Sequence, residues 1–502
     1  ENWFDLNASR YTASSTLQRM ELLKTGYMGT LSLGWDNYLF LELTGRQERS
    51  STLKDQSFFY PSANLSFLFS NAFRMPAWWN HGKLRLSYGV VGNAPETYAA
   101  NIIYEQGSDN GFTWNYVPSS WGNANIRPEK KYEYEIGFES KFLNNRLGFD
   151  VSYYNNRVKD QILSTPQPST SGVKYVLMNV GEVANEGWDI SVSATPVLTK
   201  NFRWDLTANY GIYRNKVVKL ADGVPYLEIS NIGGGGAKIQ AVEGRPMGDI
   251  YVQVPQMNEN GEYLVSDKGL YMNQTELQRV GNINPDGVGG LFSSFSYKNI
   301  FLDFSIDFRI GGDVINEMYQ YSTASGLTPE SLQFRDTEHG GLSYYYPGNN
   351  NASGVPVQVD PSLGAGPNGE TVYHDGVILP GVVASTGEKN TRIIPAGYYY
   401  NQTYNWGTQP EQLTYRHSVF DNSYVKLREL TIGYQFPEKL ISKLGMTRLS
   451  VSVFGRNLFY FYKALKNYDA ESSVGTSWAS QAVVGGSTTA TRNFGVSLRA
   501  SF

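Results

Sequence analysis

IFLDFSIDFRI, residues 300–310, alternates over its whole length. Ile300, Leu302, Phe304, Ile306, Phe308 and Ile310 share one face of an extended chain, while Asp303, Ser305, Asp307 and Arg309 share the other with Phe301. Side chains alternate across a strand with period two, so this segment predicts a strand with one apolar and one wet face. The stretch just before it, GVGGLFSSFSYK, runs into the dipeptide Lys298-Asn299, a tight-turn signal between two such strands.

The same pattern recurs along the chain, as in FRWDLTANYGI (202–212) and RLGFDVSYY (146–154). Alternation and turn residues together predict about fourteen strands, near 2–12, 26–36, 38–50, 58–70, 83–92, 130–142, 146–164, 185–198, 202–219, 289–298, 300–312, 422–436, 447–460 and 490–502. The untidiest is 422–436, where Lys426 and Arg428 share a face with Leu430 and Ile432; a β-bulge or an exposed upper half would account for it.

Connections alternate in length. Tight turns at 36–37, 143–145, 199–201 and 298–299 lie between long loops near 93–129, 220–288, 313–421 and 461–489. Short turns at one end and long loops at the other predict a transmembrane up-and-down antiparallel β-barrel, with the apolar faces on lipid and the polar faces, Asp303, Asp307 and Arg309 among them, lining the lumen. A soluble carbohydrate-binding β-protein would use the same alternation to bury a core; solubility without detergent would decide for it.

Composition agrees with an all-β chain. Of 502 residues 14% are aromatic and 51 are Gly, which suits strands and turns. The net charge of -4 offers no basic field for nucleic acid. Cysteine is absent, which excludes disulfides, thiolate metal sites and a Cys nucleophile. The first residues show no signal peptide, and no stretch approaches the roughly 18–20 apolar residues of a spanning helix, in a chain of mean hydropathy -0.38.

Catalytic and metal signals are weak. His81, His339, His374 and His417 are scattered and read as loop or rim residues. Gly233–Gly236 lacks the Lys-Ser/Thr of a phosphate loop and reads as a flexible loop. Asn282–Gly287 opens like a calcium loop but has Ser293 where the bidentate Glu should stand, so it reads as a turn. The expectation is a protein that is not an enzyme and needs no cofactor. Polar-aromatic loop stretches are the better candidates for contact with a ligand or partner: Tyr344, Tyr345 and Tyr346; Tyr398, Tyr399 and Tyr400; and Trp406. Packing of the loop against itself is the alternative for the tyrosines. Trp78 and Trp79 suit an interfacial girdle on the periplasmic side.

The closing strand, with Phe494, Val496, Leu498 and Phe502 on one face, resembles the C-terminal signal read by the barrel-assembly machinery of bacterial outer membranes. Segments 125–163, 179–197, 281–316 and 421–461 resemble the SusC/RagA branch of TonB-dependent transporters, as in NVGEVANEGWDISVSATPV and the hairpin around Lys298-Asn299. That resemblance implies a multi-pass Gram-negative outer-membrane barrel of about 22 strands, of which residues 1–502 are the C-terminal portion, with the plug and roughly eight strands missing. It also implies import of a glycan or oligopeptide with a SusD-like surface lipoprotein as lid and TonB acting through the plug. A siderophore receptor and a passive fourteen-strand pore are the membrane alternatives.

Overall fold

A computed structural model describes residues 19–53, 57–109, 112–167, 170, 172–405, 414–486 and 490–502. The expected strand at 2–12 lies outside them. Among the described residues thirteen strands form the main path of one sheet: β1 (Lys24–Trp35), β2 (Leu39–Ser50), β3 (Ser57–Phe67), β4 (Trp79–Asn93), β5 (Glu129–Phe142), β6 (Leu147–Pro166), β7 (Tyr175–Leu198), β8 (Phe202–Lys219), β9 (Gly287–Tyr297), β10 (Ile300–Ile310), β11 (Tyr424–Gln435), β12 (Arg448–Lys463) and β13 (Asn493–Ser501). Their order in the sheet is their order in the chain. A fourteenth, Ser120–Trp121, pairs in parallel with Tyr175 and Val176 of β7. Each expected strand within the described residues has its counterpart here; β7 starts about ten residues before its expected 185.

The tight turns show why Asn and Asp recur there. Asp36 and Asn37, Leu143 to Asn145, and Lys298 all hold positive φ, a region that short polar side chains tolerate better than most and that matches strand twist.

Contacts divide the chain into two units. The first holds residues 1–65, 86–134 and 156–182, with a small core of Leu53, Phe58 and Ile126 and polar pairs such as Arg127–Asp160 at 2.8 Å. The second holds 66–85, 135–155 and 183–502.

In the second unit the sheet has two distinct faces. Register places Leu302, Ile432, Val453 and Val496 in one cross-strand row. Ile432 is 54%, Val453 59% and Val496 71% exposed. A row this apolar and this exposed is not a soluble core; it is a surface for hydrocarbon. The next row, on the opposite face, is Asp303, Thr431, Phe454 and Gly495. Polar groups there satisfy one another: Ser294 Oγ donates to Asp303 at 2.6 Å, and Arg456 pairs with Glu429 at 2.9 Å. Phe301 sits on this polar face because its ring lies over Gly433, where a Cβ would come within 2.1 Å of it.

The irregular strand is a bulge. Pairing with β10 passes from Ser305↔Glu429 to Ile306↔Leu427, leaving Arg428 as the extra residue. An inserted residue reverses the face of everything beyond it. Leu430 and Ile432 therefore face the apolar side below it, Leu427 and Val425 above it, and Lys426 joins Arg428 beside Asp307.

The connections at 220–288 and 313–421 are more than loops. They contain a sheet formed by Tyr226–Ile232, Ala237–Val242, Asp249–Val252 and Gln278–Asn282, a second formed by Leu342–Tyr345, Val357–Gln358, Val372–Val377 and Ile394–Pro395, and the helices Glu317–Ala324 and Ala396–Tyr404. One core joins them to the 461–489 connection: Ile239, Ile250, Val252, Ile283, Ile315, Tyr415, Ala482 and Val483. The glycine run at 233–236 is a correction to the sequence reading. It is a packed turn, in which Gly233 at φ +59° leaves 1.6 Å between its missing Cβ and the hydroxyl of the fully buried Tyr415.

Candidate binding surface on the polar face

Polar-face residues of β6–β11 in the second unit surround an open cavity of about 560 Å³, lined among others by Asp150, Asp189, Asn209, Asp307, Arg309 and Tyr424. The register sets its floor: Asn209 pairs with Gly290, and Gly290 with Asp307. Gly290 adds no side chain between the amide and the carboxylate, which leaves room above the backbone. Asp150 is held at 2.6 Å by Arg85. Arg309 donates to the carbonyl oxygens of Ile283 at 3.0 Å and Gly311 at 3.2 Å. Hydroxyl, amide, carboxylate and guanidinium groups around such a space can hydrogen-bond a polar ligand, as sugars and peptides are. Asp303, Asp307 and Arg309, expected on the wet face, share that face by register with Lys426 and Thr431.

Beside the cavity lies a group of charges the sequence reading did not assemble. Arg428 donates to Asp307 at 3.0 Å, to Asn457 at 2.8 Å and to Glu471 at 2.9 Å. Lys426, whose side chain is 3% exposed, pairs with the same Glu471. The cations had a sequence signal in their irregular placement. Glu471, in a long connection, had none.

The tyrosine clusters are mostly internal. Tyr344 is 1% exposed, its hydroxyl donates to Asp375 at 3.0 Å, and its ring stacks on Tyr373. Tyr346 is buried against both. Tyr400 is buried and donates to the Glu330 carbonyl at 2.8 Å; burial pushes its pKa up to about 12. The rings of these three pack against the loop's own core, the alternative that the sequence left open for them. Tyr345 is half-buried, and Tyr398 and Tyr399 are half-buried against Leu270, Val377 and Ile394. Trp406 lies outside the described residues.

Other singled-out residues have structural partners. Trp78 stacks on Trp79 and Phe142 beside the Leu143–Asn145 turn, and Trp79 Nε1 donates to Ser140 at 2.5 Å. His374 Nδ1 lies 2.8 Å from Ser343, and His417 is stacked on Tyr404. Asn282 and Asn284 donate to the Met247 carbonyl, and Asn282 to buried Asp249, so the 282–287 segment is a hydrogen-bonded turn. Among the described residues no group of three or more His, Asp or Glu could hold a metal ion.

Glu370 offers a pH test of the loop body. Its carboxylate accepts from the Asn368 backbone N–H at 2.8 Å, the Asn368 amide at 3.1 Å and the Gly348 N–H at 3.2 Å. These bonds, the Asn368 backbone N–H first, lower its pKa to about 2 from an ordinary 4.5. A depressed carboxylate stabilises the fold above its unfolded pKa, and that stabilisation is lost as pH falls through the folded value. Amide protection across 342–377, taken relative to the intrinsic exchange rate at each pH, should therefore fall between about pH 4.5 and 2, and Glu370→Gln should flatten that dependence; an unchanged profile in the variant would assign the acid sensitivity elsewhere.

The profile of the family "TonB dependent receptor-like, beta-barrel" matches residues 4–250. TonB-dependent receptor P3 of Formosa agariphila is 22% identical over 494 residues, covering 89% of this chain and 42% of the relative. TonB-dependent receptor SusC of Bacteroides thetaiotaomicron is 27% identical over 256 residues, 45% of this chain and 24% of SusC. The chain thus spans less than half the length of these relatives. Among solved structures, the RagAB peptide transporter matches with a TM-score of 0.70 at 18% identity, over 99% of this chain and 50% of that one. At that identity the likeness is one of fold.

Proposed function

We propose, from the premise that this chain is an outer-membrane β-barrel of the TonB-dependent receptors, SusC/RagA type, that it forms the wall of an importer for a bulky polar nutrient, a glycan or an oligopeptide. The carrying observation is the two-faced sheet: an exposed apolar row through Ile432, Val453 and Val496 backs a polar face that carries the Arg428–Asp307 and Arg456–Glu429 pairs and a cavity of about 560 Å³. Hydrocarbon on one side and hydrogen-bonding groups on the other is what a passage for a hydrated, uncharged or weakly charged solute requires.

Its relatives' kind supports two further parts of the reading. A SusD-like lipoprotein closes over the packed body built by 220–288 and 313–421, and TonB drives uptake through a plug carried outside residues 1–502. Asp303, Asp307 and Arg309 line the passage, and half-buried Tyr345, Tyr398 and Tyr399 are the tyrosines of the candidate set left to meet ligand or lid; Trp406 is the further candidate that the sequence names. The exposed row Phe494, Val496, Leu498 and Phe502 fits recognition by the barrel-assembly machinery. The wall carries no chemistry of its own; it binds and passes.

Cells lacking the gene should lose uptake of fluorescent oligosaccharides or of fluorescent oligopeptides, one class and not both, and dissipating the proton-motive force should abolish uptake in the parent. Uptake of both classes unchanged by the deletion would sink the importer reading.

A further inference from the structure

Four of the residues lining the polar-face cavity are charged: Asp150, Asp189, Asp307 and Arg309. Asp150 is held by Arg85, and Asp307 by Arg428. Arg85 directs its other donors to Glu139 and Ser152. Asp189 and Arg309 differ from these, because among the described residues neither makes an ion pair. Asp313 and Asp421 act on Arg309 only from beyond ion-pair distance. The carbonyl oxygens of Ile283 and Gly311 fix the Arg309 guanidinium in place. Each takes one N–H, which leaves three of the five guanidinium donors for another acceptor.

Register puts these two groups at opposite ends of one cross-strand row. Asp189 of β7 lies against Gly211 of β8, whose missing Cβ would stand 3.2 Å from Asp189 Oδ1. Gly211 pairs with Val288 of β9, and Val288 with Arg309 of β10. Three ladder steps separate the two backbones by about 14 Å. The residues between are a glycine and a valine, so the row is shallow and a chain can lie across it. A carboxylate at one end and a guanidinium at the other, each without a counter-charge, complement a ligand that carries an ammonium and a carboxylate that far apart. An extended peptide spans about 3.3–3.6 Å per residue, so about four residues bring its two termini to the two groups. A neutral sugar chain has no charge to offer either of them.

We propose that Asp189 and Arg309 are the two ends of a cradle for short peptides with free termini, the amino end on Asp189 and the carboxyl end on Arg309. Both are specificity-determining residues, and Gly211 and Val288 keep the floor between them low. This rests on the reading of the polar face as the wall of a passage, and it narrows the nutrient from a glycan or an oligopeptide to the second.

The test is calorimetric binding to the full-length protein in detergent, with tetraalanine, its N-acetyl and C-amide forms and maltotetraose as probes. Tetraalanine should bind, and capping either end should weaken it about tenfold, the loss of one charge-assisted contact. Maltotetraose should bind at least about tenfold more weakly than the free peptide. Asp189→Asn keeps the shape and removes the charge, and heat-modifiable migration checks that it has folded. The variant should bind free and N-acetylated tetraalanine alike while still discriminating against the amide. Asp189 carries the test because Arg309 also holds two backbone carbonyls. No binding of tetraalanine, equal affinity for its capped forms, or an acetylation penalty that persists in Asp189→Asn would overturn the cradle. Maltotetraose bound in place of tetraalanine would remove the cradle and keep the importer. Peptide bound with the expected discrimination, yet taken up unchanged by cells lacking the gene, would keep the cradle and lose the importer.

Discussion

Val453→Arg should cost about 2–4 kcal/mol of folding stability in liposomes, the penalty of a cation on the lipid face near the bilayer midplane. Val453 stands between Ile432 and Val496 and is 59% exposed. That exposure makes the experiment decisive. In water an exposed valine accepts arginine within about 0.5 kcal/mol, so a soluble sheet would not register the change. Ser497→Arg, on the opposite face of β13, should stay within about 0.5 kcal/mol. Urea titration of the two variants, followed by heat-modifiable migration, checks both. Equal costs would remove the distinction between the two faces on which the fold assignment rests.

The second large effect is expected at Gly233. Its φ of +59° and the 1.6 Å gap to the Tyr415 hydroxyl combine two penalties in Gly233→Ala: a left-handed backbone carrying a Cβ, and displacement of a fully buried ring. About 3 kcal/mol is expected from the two together. Gly234 is the control, because it has the same backbone at φ +68° and open space around it; Gly234→Ala should cost only about 1–2 kcal/mol. The loss should appear as faster amide exchange in 226–252 and 313–316, whose side chains share the core with Tyr415, while β8–β13 keep their protection. Parent-like exchange in Gly233→Ala would mean that Tyr415 moves aside freely.

Much of this was legible in the sequence, and the reasons are local. Period-two alternation marks strands such as 202–219 and 300–310 because each has one face on hydrocarbon, and the turns at 36–37 and 298–299 carry their own backbone chemistry. The packed body was not legible. Its strands are short, and those at its centre, Ala237–Val242 and Asp249–Val252, bury both faces, so no alternation survives there; the fully buried Tyr344 and Tyr415 look in sequence like any loop aromatic. Gly233 was misread for the related reason that four glycines announce freedom, whereas the ring above them is 182 residues away. Glu471 reaches Lys426 across 45 residues, a pairing that no local pattern encodes. The irregularity at Arg428 was visible, and the bulge accounts for it.

The sequential order of β1 to β13 has a kinetic meaning. Every ladder of the main path joins a strand to its immediate predecessor, and four of them, β1–β2, β5–β6, β7–β8 and β9–β10, close over connections of two to four residues, short enough to form as hairpins. Such hairpins form on the microsecond scale. The slow steps are then the junctions between hairpins, above all β10 to β11, where 113 residues must be looped out between Ile310 and Tyr424. Loop-closure cost grows only logarithmically with length, but here the looped chain must also find its own core. Contact order is therefore low within the hairpins and high at their junctions, which makes ordering of the external body, not strand pairing, the step expected to set the pace of assembly.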